Sequence, residues 1–279
     1  MRNVLVTGAS GFIGKEVAPT LAEKYRVVCI GRRDPGLDLP WIQGAFHSPE
    51  DLRKLDEMPL DIVVHLAAET GKCSEREGFL VNVEGTRRLM RPFLERGCKK
   101  FVIASSIAAV GTQDPAFRPV QLPIQEDHPC LCTDAYGFSK FLMEEMTGYL
   151  YRQSSEIDVL HLRLGTVRAE GHLPPLREAK AEGTWTLGAI TLLGLQDAVR
   201  AFQTAVDAPY RAGVRILNVC DTRSWVRDPM PEVLKAWYGD DVDCSYYERE
   251  GREWDSAFSV TRLQEELGFT PRGLHREER

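Results

Sequence analysis

Short apolar runs alternate along the chain with longer amphipathic stretches, and this alternation defines the predicted elements. Several runs are apolar throughout, which is typical of strands covered by helices on both faces of a parallel sheet. The predicted strands cover residues 3–7, 26–30, 41–44, 61–66, 100–105, 158–163 and 214–219. Helices are predicted at 12–24, 82–95, 135–151, 196–206, 231–237 and 260–267. The pattern therefore predicts an α/β protein with a doubly wound parallel sheet.

The regular alternation stops after Arg163. Residues 1–165 carry most of the predicted strands and are expected to form the main domain. Beyond them, Pro174-Pro175 and several glycines indicate a loop-rich segment. We expect residues 166–279 to form a small C-terminal substrate-binding lobe, from which strand 214–219 returns to the main sheet.

The composition is that of an ordinary globular protein, with 43% hydrophobic and 27% charged residues. The net charge of −6, without a block rich in Lys or Arg, argues against nucleic acid as a partner. Neither a signal peptide nor an apolar run of roughly 18 residues is found, so we expect a cytoplasmic protein that does not enter a membrane. The cysteines form no CxxC pair and the histidines lie singly, so no metal site is predicted.

A glycine-rich loop follows the first predicted strand and precedes the first predicted helix. Gly8 permits a tight turn, Gly11 lets the backbone approach a pyrophosphate, and Gly14 permits close packing of helix on strand. The helix N-terminus then presents free N–H groups to the phosphates. The residues predicted to bind a dinucleotide here are Gly8, Ser10, Gly11, Phe12, Ile13 and Gly14. This loop makes residues 1–165 a predicted dinucleotide-binding Rossmann domain.

The residues after the second predicted strand bear on the choice of cofactor. Gly31 occupies the position where an NAD site usually has an acid for the ribose 2′-hydroxyl, and Arg32 and Arg33 follow it. Guanidinium groups suit a 2′-phosphate, so NADP is predicted. In the alternative, both arginines are solvated loop charges and Asp34 takes the role of the acid, which would indicate NAD.

A tyrosine and a lysine lie four residues apart on the predicted helix 135–151. Tyr136 and Lys140 therefore share one helix face. A nearby cation lowers the pKa of a phenol from about 10, so we expect Tyr136 to exchange a proton near neutral pH. Ser105 and Ser106 end the preceding strand, and a serine there can hydrogen-bond the same substrate oxygen.

Through the glycine loop and through Ser106, Tyr136 and Lys140, the chain resembles the extended short-chain dehydrogenase/reductases, the NAD-dependent epimerase/dehydratase family. The resemblance covers residues 1–165 well and the remainder thinly. Further matching segments are His65-Leu66-Ala67-Ala68, Asn82-Val83-Glu84-Gly85-Thr86, Glu126-Asp127-His128-Pro129 and Leu267-Gly268-Phe269-Thr270-Pro271. Together they are more specific than any single motif.

The resemblance implies a role for each candidate residue. Tyr136 would be the general acid/base, Lys140 would hold the ribose hydroxyls and tune the tyrosine, and Ser106 would polarise the substrate carbonyl. Asn82 would support the lysine through water. The cofactor would also contact Phe46, Leu66, Ala67, Ala68, Ala104, Tyr136 and Lys140, and the substrate would contact Glu69, Ser106 and Thr166. The helices that begin near Asn82 and Tyr136 would form a homodimer interface.

The chain also departs from the family pattern. Dehydratases of the family usually carry an Asp-Glu pair where this chain has Ile107 and Ala108, so elimination of water is disfavoured. Ala45 replaces the usual Asp that contacts adenine, and Thr166 stands where sugar-nucleotide enzymes typically have Asn. The stretch 171–196 is much shorter than such enzymes normally need.

The combined pattern predicts an NADP(H)-dependent oxidoreductase that acts on a small or sugar-like ketone or alcohol. Two other functions stay open. One is a nucleotide-sugar epimerase with a tightly bound cofactor, and the other is a cofactor-binding scaffold without catalysis. Intact Ser106, Tyr136 and Lys140 favour an enzyme.

Overall fold

The computed structural model of the protein describes residues 1–180 and 185–274. Its strands are β1 (Asn3–Thr7), β2 (Arg26–Gly31), β3 (Trp41–Gln43), β4 (Ile62–His65), β5 (Lys100–Ser106), β6 (Asp158–Leu164), β7 (Thr166–Arg168), β8 (Leu192–Gly194) and β9 (Gly213–Val219). One parallel sheet has the order β3-β2-β1-β4-β5-β6-β9, and β7 and β8 form a separate parallel pair. The strand order reverses between β1 and β4, which is where ligands bind in open α/β sheets.

Helices cover both faces of the large sheet. They are α1 (Gly14–Ala22), α2 (Pro49–Leu52), α3 (Glu75–Glu77), α4 (Gly85–Glu95), α5 (Ala135–Ser154), α6 (Leu187–Ile190), α7 (Leu195–Asp207), α8 (Met230–Tyr238) and α9 (Thr261–Leu267). The buried strand β1 divides its side chains between two cores, since Val4 and Val6 pack with α1 and α7 while Leu5 packs with α4 and α5. This alternation explains why the strand is apolar throughout. The predicted Rossmann fold is confirmed.

All seven predicted strands are present, each within one residue of its predicted bounds. Among the helices, the one predicted from Asn82 begins only at Gly85, because residues Gly78–Glu84 form a π-helix. A Cβ on Gly78 would lie 3.1 Å from the Cβ of Ser139, so the glycine lets this segment approach α5 closely. Periodicity of 3.6 residues gives no signal for such a widened turn.

The C-terminal third contributes both a strand and a helix to the main layers of the fold. β9 pairs with β6 over its whole length, as predicted for strand 214–219. Helix α7 also returns and packs in the same core as α1, although it lies within the predicted lobe 166–279. The β7–β8 pair therefore stands apart from the large sheet. Of the residues that follow β9, those in α9 pack against β9 itself.

Candidate active site

The glycine loop between β1 and α1 adopts a conformation that side chains would block. Gly8 has φ of +76°, and a Cβ there would lie 2.6 Å from the backbone nitrogen of Ala67. A Cβ on Gly14 would lie 2.1 Å from the carbonyl oxygen of Gly8. Both contacts are with backbone, so larger residues are excluded. The loop is thus held against β4 with the N-terminus of α1 open for an anion.

A cleft of about 460 Å³ lies at the carboxyl ends of β1, β2, β4 and β5. Its lining includes the predicted cofactor residues Gly8, Ser10, Gly11, Phe12, Ile13, Gly14, Arg32, Arg33, Phe46, Leu66, Ala67, Ala68 and Ala104. The lining also includes His47, Thr70 and Val81, which the sequence analysis did not name although each is next in sequence to a predicted site residue. A glycine cradle at a helix N-terminus and an elongated cleft beside it fit a dinucleotide.

Two exposed arginines stand at the rim of this cleft. Arg32 and Arg33 both line it, whereas Asp34 does not and accepts a hydrogen bond from the Gly36 nitrogen at 2.8 Å. The guanidinium of Arg32 lies 3.8 Å from the carboxylate of Glu69, which reaches across from the end of β4. Glu69, predicted to contact substrate, therefore lies among the residues of the cofactor cleft.

The part of the cleft lined by Ala45 also has a carboxylate close by. The Ala45 nitrogen donates to the carboxylate of Asp51 at 2.8 Å, and Lys54 donates to the same carboxylate at 2.6 Å. These hydrogen bonds, that from Lys54 above all, hold the pKa of Asp51 below its usual range. The side chain of Asp51 packs directly against Gly44. Ala45 replaces the usual Asp of the family, but Asp51, six residues later in the sequence, brings a carboxylate to the same place.

His65 at the end of β4 has a structural role. Its Nδ1 is 2.6 Å from the Thr7 hydroxyl and its Nε2 is 3.0 Å from the Thr86 hydroxyl. Burial lowers the pKa of His65 to about 3, so the ring is neutral at physiological pH. The ring of Phe46 packs against it at 4.8 Å. The histidine thus joins β1, β4 and α4 beneath the cleft.

The two serines at the end of β5 face opposite sides, as successive residues of a strand do. Ser105 is buried and its hydroxyl donates to Glu144 at 2.6 Å. Ser106 is only partly buried, and its Oγ accepts a hydrogen bond from the Ala108 nitrogen at 3.1 Å. Ser106 also lies close enough to the side chain of Tyr136 to lower the pKa of the phenol. The structure thus brings Ser106, and not Ser105, to the tyrosine.

Helix α5 carries Tyr136 and Lys140 toward the end of β5. Asp134 begins the helix, because its carboxylate accepts a hydrogen bond from the Gly137 nitrogen at 2.7 Å. One turn later, the Lys140 ammonium donates to the carbonyl oxygen of Ala104 at 2.8 Å. It lies 5.9 Å from the centroid of the Tyr136 ring. The predicted triad of Ser106, Tyr136 and Lys140 is therefore brought together beside Ala104, which lines the cleft.

The pKa of Tyr136 moves in the direction opposite to the prediction. Burial raises the pKa above 10.0, and the nearby Ser106 side chain opposes this only in part. Burial also lowers the pKa of Lys140 to about 8, although the nearby carboxylate of Glu144 opposes the shift. The expected lowering of the Tyr136 pKa is therefore wrong, because burial is the largest effect on the phenol and Lys140 is not among the groups that shift its pKa.

The side chain of Asn82 is fully engaged inside the π-helix. Its Oδ1 accepts from the Glu69 nitrogen at 2.9 Å, while its Nδ2 donates to the Glu69 carbonyl at 3.0 Å and to the Ser139 hydroxyl at 2.9 Å. Asn82 therefore ties the loop after β4 to helix α5. Its predicted support of Lys140 through water stays a prediction.

The predicted substrate residue Thr166 lies in β7, outside the cofactor cleft. Its hydroxyl donates to the carbonyl of Gly188 at 2.6 Å and so links β7 to α6. Ile107 and Ala108 are buried directly after Ser106 and carry no group that could transfer a proton. In residues 1–180 and 185–274, no group of three His, Cys, Asp or Glu side chains could hold a metal ion. No helix in those ranges is long and apolar enough to cross a membrane.

Comparison with protein families and curated relatives shows which proteins this chain is similar to. The sequence model of the NAD dependent epimerase/dehydratase family matches residues 4–220. The UDP-glucose 4-epimerase of Halalkalibacterium halodurans is 31% identical over 154 residues, which cover 51% of this chain and 44% of that enzyme. The UDP-glucose 4-epimerase of Mus musculus is 30% identical over 194 residues, covering 58% and 53%. This chain thus spans about half the length of the curated relatives it matches.

Solved structures are matched over nearly the whole chain. MoeE5 in complex with UDP-glucuronic acid and NAD superimposes with a TM-score of 0.71 and 26% identity, covering 98% of this chain and 94% of that one. A short-chain dehydrogenase/reductase superfamily protein of Agrobacterium tumefaciens with bound NAD has a TM-score of 0.74 at 22% identity, covering 98% and 93%. The second likeness shows the fold alone.

Proposed function

The chain belongs to the NAD dependent epimerase/dehydratase family, and within this family we propose that it is an NADP(H)-dependent oxidoreductase that reduces a ketone. The observation that carries this proposal is the meeting of Ser106, Tyr136 and Lys140 beside Ala104. Ala104 lines the dinucleotide cleft, whereas the three side chains themselves lie next to the lining and not in it. Ile107 and Ala108 supply no acid or base for elimination, which leaves hydride transfer as the chemistry that these side chains support.

Each of the three side chains has its own role in the proposed reduction. The residues of the cleft would hold a reduced nicotinamide dinucleotide, which when bound would supply the hydride for the carbonyl carbon. The O–H bond of Tyr136 breaks as its proton passes to the substrate oxygen, and the electron pair stays on the phenolate. Ser106 donates a hydrogen bond to the same substrate oxygen, and the ammonium of Lys140 stabilises the phenolate. Because burial raises the pKa of Tyr136, the phenol holds its proton at neutral pH, as a general acid must.

The preference for NADP(H) rests on the rim of the cleft. Gly31 leaves the usual position of the acid without a carboxylate, and Arg32 and Arg33 stand beside it. Asp34 does not line the cleft and binds the Gly36 nitrogen instead, which favours the arginines over Asp34 as the groups that meet the ribose. MoeE5 and the Agrobacterium tumefaciens protein were both solved with NAD, so the proposed preference distinguishes this chain from them.

A second candidate function is epimerisation of a nucleotide sugar. It is favoured by the likeness to UDP-glucose 4-epimerases. It is also favoured by the match to MoeE5, which was solved with UDP-glucuronic acid and is covered over 94% of its chain, so the two proteins are similar in length. This match weakens the expectation that the segment 171–196 is too short for such a substrate. An epimerase would use the same three side chains but would return the hydride to the substrate.

Cofactor occupancy separates the two functions. We expect protein purified without added cofactor to carry little dinucleotide and to oxidise added NADPH in the presence of ketones of increasing size. Absorbance at the wavelength of reduced nicotinamide follows the reaction, and denaturation followed by chromatography counts the bound cofactor. Stoichiometric oxidised cofactor, together with interconversion of UDP-sugars without net oxidation of NADPH, would instead support the epimerase.

The rate of ketone reduction is expected to fall as the pH rises above about 8. Lys140 acts as a cation, and burial lowers its pKa to about 8, so its charge is present below that pH and is lost above it. The raised pKa of Tyr136 keeps the phenol protonated over the same range. The measurement is kcat for ketone reduction between pH 6 and pH 10. A rate that rises through pH 8 would contradict this assignment.

We further propose a homodimer whose interface is formed by α4, α5 and the π-helix Gly78–Glu84 that precedes α4. Phe79, Leu80, Phe138 and Tyr149 are large apolar residues that stay exposed there, and the rings of Phe79 and Phe138 meet edge to face at 5.9 Å. A second copy of this face would cover them.

Changing Tyr149 to Glu is expected to weaken this self-association at least about tenfold, because a carboxylate would be buried in an apolar contact. Sedimentation velocity over a range of protein concentrations measures the change. Val120→Glu, at an apolar residue that is 63% exposed elsewhere, is the matched control. A monomer at every concentration in the unchanged protein would refute the proposed dimer.

A further inference from the structure

The most deeply buried charged pair in the described part of the chain lies directly behind the proposed catalytic residues. Glu144 is in α5, one helical turn after Lys140, and its side chain is only 1% exposed. Arg163, at the end of β6, holds this carboxylate with two hydrogen bonds, from Nε at 3.0 Å and from Nη2 at 2.7 Å. Such a two-pronged pair fixes the orientation of both groups.

The same carboxylate also reaches the strand that carries Ser106. Ser105 donates to Glu144 at 2.6 Å, from the position between Ala104 and Ser106. Ala104 is the residue whose carbonyl accepts the ammonium of Lys140. One side chain thus joins α5 to β5 and to β6 at the level of the active site.

Arg163 is in turn held from the far side. Its Nη1 donates to the carbonyl oxygen of Glu126 at 3.0 Å, and the carboxylate of Glu126 accepts from the Asn218 nitrogen at 2.9 Å. The guanidinium is therefore fixed between β6, the loop before α5 and β9. It has little freedom to leave Glu144, so the carboxylate keeps one position.

We propose that Glu144 is a positioning residue of the active site, which fixes α5 against β5 and holds a buried carboxylate one helical turn from Lys140. The inference rests on the proposed function, because it assigns Glu144 to the support of that reaction. Glu144 does not touch the cleft and takes no part in bond making. Its effect passes through the position and charge of Lys140.

The charged and titratable groups around Lys140 make Glu144 its main anionic neighbour. Tyr136 lies on the same helix, Cys73 approaches from the loop after β4, and His65 and His161 face it from β4 and β6. Burial lowers the pKa of both histidines to about 3 and about 4, so both are neutral at pH 7. Among these groups, Glu144 is the largest influence that raises the pKa of Lys140.

The test is the pH profile of the holoenzyme with the glutamate made neutral. In Glu144→Gln we expect the alkaline limb of kcat to move down by about one pH unit, because the ammonium loses its counter-charge. Ser105→Ala, which removes one hydrogen bond and no charge, should leave the limb in place. Glu144→Asp keeps the charge on a shorter side chain, so it should lower kcat while its limb stays near that of the unchanged protein.

A purely structural role for Glu144 would give a different result. It would lower stability and kcat in all three variants without moving the limb in Glu144→Gln, and that outcome would overturn the proposal. If Glu144→Gln does not fold, the double variant Glu144→Leu/Arg163→Met replaces both buried charges by apolar residues of similar volume, a change that protein cores often tolerate. Its limb should also move down, and an unmoved limb there would equally overturn the proposal.

A second readout separates this inference from the proposed function. The fluorescence of bound NADPH measures its affinity between pH 6 and pH 10. The affinity should fall where Lys140 loses its charge, and in Glu144→Gln this fall should occur at the same lowered pH as the fall in kcat. No NADPH-dependent turnover with any ketone in the unchanged protein would refute the proposed reductase, while the affinity profile would still test Glu144. Turnover with an unmoved limb would refute only the role of Glu144.

Discussion

Replacing Tyr136 by phenylalanine is expected to lower kcat for ketone reduction about 1000-fold, the range typical for loss of a general acid. Phe keeps the ring and its packing but removes the hydroxyl that lies close to Ser106. The affinity for NADPH should stay within a few-fold, because the cleft residues are untouched. Turnover and cofactor titration on the same preparation measure both quantities.

The control for this change lies on the same helix. Tyr149 is half exposed at the far end of α5, so Tyr149→Phe removes a hydroxyl of the same kind away from the site. It should leave kcat unchanged. If Tyr136→Phe retains turnover at the level of this control, Tyr136 is not the proton donor and the proposed mechanism is wrong.

The double change Arg32→Ala/Arg33→Ala is expected to weaken NADPH binding by about 2–4 kcal/mol, which is roughly 30-fold to 1000-fold in Kd. Both guanidinium groups line the rim of the cleft, where a 2′-phosphate would be held by charge-assisted hydrogen bonds. NADH has no such phosphate, so its affinity should change much less. Isothermal titration with each cofactor gives the two values.

Two further variants sharpen that comparison. Arg26→Ala/Arg53→Ala removes two exposed arginines that do not line the cleft and should affect neither cofactor. Gly31→Asp restores the usual acid, and its Cβ has room because its nearest neighbours would be 3.5 Å and 3.8 Å away. This variant should favour NADH. Equal weakening of NADH and NADPH in the Arg32/Arg33 variant would mean that the arginines do not recognise the 2′-phosphate.

Much of the cofactor site could be predicted from the sequence because its requirements are local. Gly8 and Gly14 are needed for backbone reasons that involve a few neighbouring residues, and the strand before them is apolar because both its faces are covered. Tyr136 and Lys140 share a helix face through their spacing alone, and Asp134 begins that helix. The family, the parallel sheet and the position of the dinucleotide cleft follow from such local patterns.

Other features depend on contacts between residues far apart in the chain, and only the tertiary structure decided them. The π-helix around Asn82 exists because its side chain bonds Ser139, 57 residues away. The direction of the Tyr136 pKa shift depends on burial, which no spacing reveals. Arg163 and Ser105 reach Glu144 from 19 and 39 residues away. The sequence by itself determined the family, the glycine loop and the shared helix face of Tyr136 and Lys140. Packing decided the charge, the partners and the support of these side chains, because desolvation and long-range hydrogen bonds arise only when the chain is folded.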